Sequence, residues 1–201
     1  KASARIVDDA RKCVADALGG VDPNDVYFTS GATESNNIVL RGIVNAANDR
    51  GVAPHIVSSA IEHSAILVPL RELAKRGQCT FTLVPVGSDG VVNPDDVARA
   101  IRPGTALVSV MGAQNETGVI QPIEAIANVA HSRGVPMHSD LCQSFGKVPL
   151  RGFDAASMSA HKIYGPTGAG CAYLPQRMLA RMSPQSLGGS QQNGIRGGTL
   201  N

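Results

Sequence analysis

The sequence predicts an α/β chain: a three-layer sandwich in which a mostly parallel sheet of about seven strands carries helices on both faces. Two observations point there. Short β-type runs alternate with helix-type runs from end to end, and the strand runs are apolar with little polar alternation, as in strands buried on both sides. A third sets the scale: 201 residues, 43% of them apolar, suffice for one domain with a substantial core.

Each element has a local reason. Ser3 to Leu18 places Ile6, Val7, Ala10, Val14, Ala17 and Leu18 at helical spacing, and Gly19-Gly20 ends the helix. Val26 to Thr29 reads as a strand. Glu34 to Ala47 is a helix with Ile38, Val39, Gly42, Ile43 and Ala46 on one face. His55 to Ser59 is a strand, and Ser64 to Arg76 a helix closed by Gly77. Thr80 to Val84 is a strand. At Asn93-Pro94-Asp95-Asp96 an Asn cap, a first-turn Pro and two acids at the positive dipole end open another helix. Thr105 to Val110 is a strand, Pro122 to Ser132 a helix, and Val135 to His138, Ala155 to Met158 and Gly170 to Leu174 three more strands. The stretch from Ser183 to Asn201, rich in Gly, Gln and Ser, reads as an ordered loop or an exit toward further chain.

Composition removes several function classes. A net charge of +2, an aromatic content of 3% and no Trp leave neither a basic nucleic-acid face nor a base-stacking platform. No run approaches the roughly 18 apolar residues of a membrane helix. Cys13, Cys79, Cys142 and Cys171 lack metal spacing, so no metal site is expected. A reducing, cytoplasmic compartment is the default. The chain opens on Lys1 rather than Met, so its natural start is expected to lie further upstream.

In open α/β sheets ligands bind beyond the carboxyl ends of the strands. The residues there are polar again and again: Ser30-Gly31-Ala32-Thr33 opening a helix, Glu62-His63, Gln114-Asn115, Asp140 with Gln143, and Ser159-Ala160-His161-Lys162. Taken singly, the first is also an ordinary strand-to-helix turn, His63 a helix-start histidine, Asp140 a cap and Lys162 a loop lysine. Together, a helix N-terminus with the Ala32 backbone and the Thr33 hydroxyl can hold a phosphate. Of five lysines, Lys162, just past an apolar strand, is the candidate for a desolvated amine suited to a Schiff base. A carboxylate, a lysine, a stacking ring and a phosphate cradle are the groups pyridoxal phosphate requires. Neither GxGxxG nor GxxxxGK[ST] is present, which disfavours a dinucleotide-binding domain.

With Ser30–Asn37, Glu62-His63, Asn115–Gly118, His138–Ser144, Ser159–Pro166 and Gly188-Gly189 through Arg196–Thr199 in order, the sequence resembles the cysteine desulfurase and selenocysteine lyase family of class V aminotransferase-like enzymes. The resemblance implies fold type I, with residues 1–201 as the cofactor-binding large domain. It implies pyridoxal 5'-phosphate as cofactor, covalently held by Lys162. Asp140 pairs with the pyridine nitrogen, Gln143 donates to the phenolic oxygen, and Asn115 positions cofactor and substrate. His63 stacks on the ring and serves as acid or base, and Thr33, Ser159 and His161 bind phosphate. Thr199 reaches the phosphate of a partner subunit. The implied reaction takes L-cysteine to L-alanine, with sulfur passed through an enzyme persulfide to an acceptor or scaffold protein, in a homodimer that is cytoplasmic, or organellar in a eukaryote. A selenocysteine lyase and a non-catalytic scaffold relative are the alternatives.

The resemblance also marks departures. Family members usually carry Glu-Arg where this chain has Gln192-Asn193, which bears on substrate recognition, the dimer contact or activity. Cys142 stands where a small residue is usual and is expected to be a filler at the site edge. Cys13, Cys79 and Cys171 are expected to be inert structural thiols. Family enzymes are about twice as long, with the persulfide-carrying cysteine in a small domain that this chain does not match.

Overall fold

The computed structural model describes residues 2–189 and 191–198. Seven strands form one sheet: β1 (Val26–Thr29), β2 (His55–Ser59), β3 (Thr80–Val84), β4 (Thr105–Ser109), β5 (Met137–Asp140), β6 (Ala155–Ser159) and β7 (Gly170–Tyr173). Their order is β1-β7-β6-β5-β4-β2-β3. The helices are α1 (Ala2–Ala17), α2 (Ala32–Asn48), α3 (Ser64–Lys75), α4 (Pro94–Ala100), α5 (Ile123–Ser132) and the single turn α6 (Gln176–Leu179).

All seven expected strands and the five long helices are present. β2, β3, β4, β5 and β6 pair in parallel, while β7 runs antiparallel to both β1 and β6. The reason is chain length. Residues 160–169 between β6 and β7 are too few for a crossover helix, so the chain returns antiparallel. β5 begins two residues later than its expected start at Val135. Pro136 has no N–H to donate; its carbonyl accepts from the Val108 N–H at 3.0 Å, and the strand starts at Met137. Asp140 is therefore the last residue of the strand rather than one that follows it.

Alternate strand residues feed two cores. Val57, Val108, Met137, Ala156 and Met158 pack with Ile123, Ile126 and Ala127 of α5, and with Ala15 and Val97 from α1 and α4. Ile56, Leu107, Ala155 and Ala172 pack on the other face with Val39, Leu40 and Ile43 of α2 and Ile66 and Leu70 of α3. The period of two along each strand thus makes the three layers.

β1 is an edge strand whose outward backbone groups are met by side chains. The Gln192 carboxamide accepts from the Phe28 N–H at 2.6 Å and donates to the Phe28 carbonyl at 2.8 Å. Arg11 of α1 donates to the Val26 carbonyl, and its guanidinium lies 5.0 Å from the Phe28 ring centroid. Asn193 donates to the Tyr27 hydroxyl at 2.9 Å. Gln192 and Asn193 both have positive φ, 51° and 55°, which turns their side chains back onto β1 within the Gln191–Gly194 turn. The pair expected to bear on recognition or activity thus ties the terminal segment to the sheet edge.

Candidate functional site

The carboxyl ends of β1, β2, β4, β5 and β6 open on one cavity of ≈ 220 Å³. Its lining includes Ala32, Thr33, His63, Asn115, Asp140, Gln143, Ser159, His161 and Lys162, so nine of the ten expected site residues converge. The tenth, Thr199, lies outside the described residues. Ala32, Asp140 and Ser159 form a buried floor, Gln143 and Cys142 a half-buried wall, and Thr33, His63, Asn115, His161 and Lys162 an exposed rim.

The floor is built by close approach. α2 starts at Gly31 without a side-chain cap, at φ 150°, where a Cβ would stand 3.4 Å from Ser159 Oγ. A Cβ on Gly170 at the start of β7 would stand 2.5 Å from Gly31 Cα. Two glycines therefore let the helix N-terminus sit against the ends of β6 and β7. Ser159 Oγ accepts the Ala32 N–H at 2.7 Å. The Thr33 and Glu34 N–H groups have no intrahelical partner by position and, with the helix dipole, favour an anion. Thr33, Ser159 and His161 stand around that end.

Asp140 is held by one hydrogen bond on each oxygen. Its Oδ2 accepts from Asn36 Nδ2 at 2.7 Å and its Oδ1 from the Cys142 N–H at 3.0 Å. Among the described residues two buried side-chain polar atoms lack a partner, Asn36 Oδ1 and Glu62 Oε2. Glu62, buried behind His63, accepts on Oε1 from the Ser59 hydroxyl at 2.5 Å and the Met111 N–H at 2.8 Å. Burial foremost, and then the Asp140 charge, push its carboxyl up to about 8 against those two hydrogen bonds. His63 caps α3: its Nδ1 accepts the Ala65 N–H at 3.1 Å, so Nε2 carries the proton of the neutral ring. Beneath Asp140, His138 is fully buried with Nδ1 2.9 Å from Ser109 Oγ and Nε2 2.9 Å from Ser157 Oγ. Burial pulls its ring well below the ordinary imidazole range, against the opposing pull of Asp140.

Two expectations are corrected. Lys162 is exposed rather than desolvated, because the 3-10 turn Ala160–Lys162 lifts it from the end of β6 to the rim. Cys13 is an exposed residue of α1, not a buried thiol. Cys79 and Cys171 are buried, and desolvation pushes their thiols up to about 11 and about 12. Cys142 does line the cavity edge; burial, then the Asp140 charge, push its thiol up to about 12, so it holds its proton at neutral pH.

Asn36 and Glu62 belonged to the quoted motifs without a role. The signal for Asn36 was its helical register with Val39, Leu40 and Ile43 on the buried face of α2, where a polar residue needs a partner. Among the described residues no His, Cys, Asp and Glu cluster could hold a metal, and no helix is long and apolar enough to cross a membrane.

Residues 1–199 match the family model described as Aminotransferase class-V. The chain is 43% identical over 198 residues to the mitosomal cysteine desulfurase of Encephalitozoon cuniculi (strain GB-M1), covering 96% of this chain and 45% of that protein. It is 41% identical over 198 residues to the cysteine desulfurase IscS of Rickettsia prowazekii (strain Madrid E), covering 96% and 47%. Among solved structures, one described as SspA in complex with cysteine superposes with TM-score 0.90 at 37% identity, covering 96% of this chain and 56% of that one. DndA from Streptomyces lividans superposes at 0.89 with 39% identity, covering 98% and 56%. The chain spans about half the length of the proteins it matches.

Proposed function

This chain belongs to the aminotransferase class-V family, and on that premise we propose that it is the cofactor-binding large domain of a pyridoxal-phosphate-dependent cysteine desulfurase. The observation that carries the reading is the convergence of Thr33, His63, Asn115, Asp140, Gln143, Ser159, His161 and Lys162, from five strand ends, on one cavity. The α2 terminus, with its Thr33 and Glu34 N–H groups free, and the neighbouring carboxylate match the two ends of the cofactor, its phosphate and its ring nitrogen.

When bound, pyridoxal phosphate supplies an electron-poor ring that takes up the electron pair left at the substrate α-carbon. The protein's groups do the rest. The α2 N–H groups, Thr33, Ser159 and His161 bind the phosphate. Asp140, fixed by Asn36 and the Cys142 N–H, holds a proton on the ring nitrogen. Gln143 donates to the phenolic oxygen, Asn115 orients the substrate from the rim, and His63 covers the ring with its Nε2 proton available. Lys162 Nζ binds the cofactor and moves the proton at the substrate α-carbon. Its exposed place on the rim leaves the amine free to do both.

L-Cysteine plus a cysteine thiolate gives L-alanine plus a persulfide. The protonated Cys142 thiol does not fit the thiolate role, nor do the buried Cys79 and Cys171, and Cys13 on α1 is not among the residues lining the cavity, so we assign the role to a cysteine beyond these four. Sulfur transfer to a protein acceptor for iron–sulfur cluster or related synthesis, and a cytoplasmic or organellar setting, extend the reading; relatives described as mitosomal and mitochondrial support the organellar setting.

The reading includes a homodimer in which Thr199 reaches the partner's phosphate. Cofactor and dimerisation are then linked, and sedimentation across a dilution series should show tighter dimers with cofactor than without. Equal dissociation constants would remove the link through Thr199, and a monomer that binds cofactor at full affinity would remove the dimer from the site.

The test of the whole is the full-length protein mixed with pyridoxal phosphate, L-cysteine and a reductant. Cofactor absorbance distinct from free pyridoxal phosphate, with L-alanine and sulfide in equal amounts, is expected. A spectrum identical to free cofactor would overturn the proposal.

A further inference from the structure

Two buried carboxyl groups stand at the same cavity, Asp140 in its floor and Glu62 behind its Met111 wall, and their partners divide them sharply. Asp140 receives one N–H on each oxygen, from Asn36 and from the Cys142 backbone. Glu62 receives both of its donors on Oε1, from Ser59 and the Met111 backbone, and nothing on Oε2. An ionised carboxylate buried with one oxygen bare is unfavourable, and two like charges buried close together are worse. One proton shared between the two groups belongs on the acid with the bare oxygen.

We propose that Glu62 is a positioning residue that keeps its proton on Oε2 at neutral pH, so that Asp140 is the single negative charge facing the cavity. This rests on the reading of Asp140 as the partner of the ring nitrogen. A neutral Glu62 holds the Met111 N–H at the cavity wall without adding a second charge to compete for the ring proton. The charged group that reaches Glu62 is Asp140 on β5; Ser59 on β2 and Met111 after β4 offer only neutral donors. The raised carboxyl of Glu62 agrees with this division of charge.

The test is carbon NMR of the full-length protein labelled with 13C at the glutamate carboxyl carbons, across pH, with and without pyridoxal phosphate. The Glu62 signal is assigned by its loss in Glu62→Gln. It should be protonated at pH 7, titrate near 8, and titrate at lower pH in Asp140→Asn, where the like charge is gone. Glu62→Gln, neutral and able to accept the same two hydrogen bonds, should keep the wild-type cofactor spectrum at pH 7, below the titration of Glu62. Titration of Glu62 in the ordinary carboxylate range would overturn the proposal. So would a titration unmoved by Asp140→Asn, or a shifted cofactor spectrum at pH 7 in Glu62→Gln. The cofactor-free arm needs no cofactor binding, so it decides where the proton lies even if the desulfurase reading fails.

Discussion

Asn36 of α2 donates to Asp140 of β5 at 2.7 Å across 104 positions of sequence, and this contact fixes the carboxylate at the cavity floor. Both groups are buried, so removing the donor strands an acceptor. We expect Asn36→Leu to cost about 1–3 kcal/mol of stability. Chemical denaturation of the variant against wild type checks it; equal midpoints would show that the contact contributes nothing.

Asp140 should matter more to reactivity than to cofactor retention, because the phosphate cradle and Lys162 are separate holds. Asp140→Ala in the full-length protein should retain pyridoxal phosphate on gel filtration while turnover falls by several orders of magnitude. A near-normal kcat contradicts the assignment.

Lys162 should carry the cofactor covalently. Lys162→Ala should lose the protein-bound visible absorbance, and borohydride treatment of wild type should fix the cofactor to the peptide containing Lys162. Recovery of the label on Lys147 instead would move the site.

His138 gives a pH dependence. Its folded-state affinity for a proton is lowered by burial, so its contribution is complete above the unfolded value of 6.5 and is lost as pH falls through the lower folded value. His138→Gln should be about 1–3 kcal/mol less stable near neutrality, from disturbed hydrogen bonds to Ser109 and Ser157, and should flatten the acid limb. Thermal unfolding from pH 4 to 8 reads both. Parallel acid limbs would show that His138 is not the group titrating.

Arg196 pairs with Glu34 at 2.5 Å, and Glu34 Oε2 accepts the Ser30 N–H at 2.6 Å, so the terminal segment is tied to the start of α2 as well as to β1. Gln192→Glu removes the donor to the Phe28 carbonyl and should loosen that segment. Hydrogen exchange at residues 191–198 should quicken several-fold with the core unchanged; unaltered exchange would refute the clamp.

Much of this was legible because glycine, proline and caps punctuate the chain: Asn93 does accept the Asp95 N–H, at 2.9 Å, and Pro94 begins α4. The site was legible because polar residues recur at strand ends, where the topology gathers them. What was not legible depends on convergence. The length of the 160–169 link held the direction of β7, but an apolar run does not state a strand's direction. The exposure of Lys162 follows from one short turn. The charge state of Glu62 depends on β2, β5 and the loop after β4 meeting at one point. Gln192 lies in a segment without periodicity, and its role appears only once β1 is known to be an edge.

That edge has a further consequence. An unpaired strand border is a template for any extended peptide, and proteins that leave one open invite stacking of copies into fibres. Around Phe28 the hydrogen bonds that a visiting strand would offer are already made by the Gln192 carboxamide, and Arg11 occupies the Val26 carbonyl. An incoming strand must first evict two side chains, each held by the fold. The border is blocked against strand addition by one side chain from the terminal turn and one from α1.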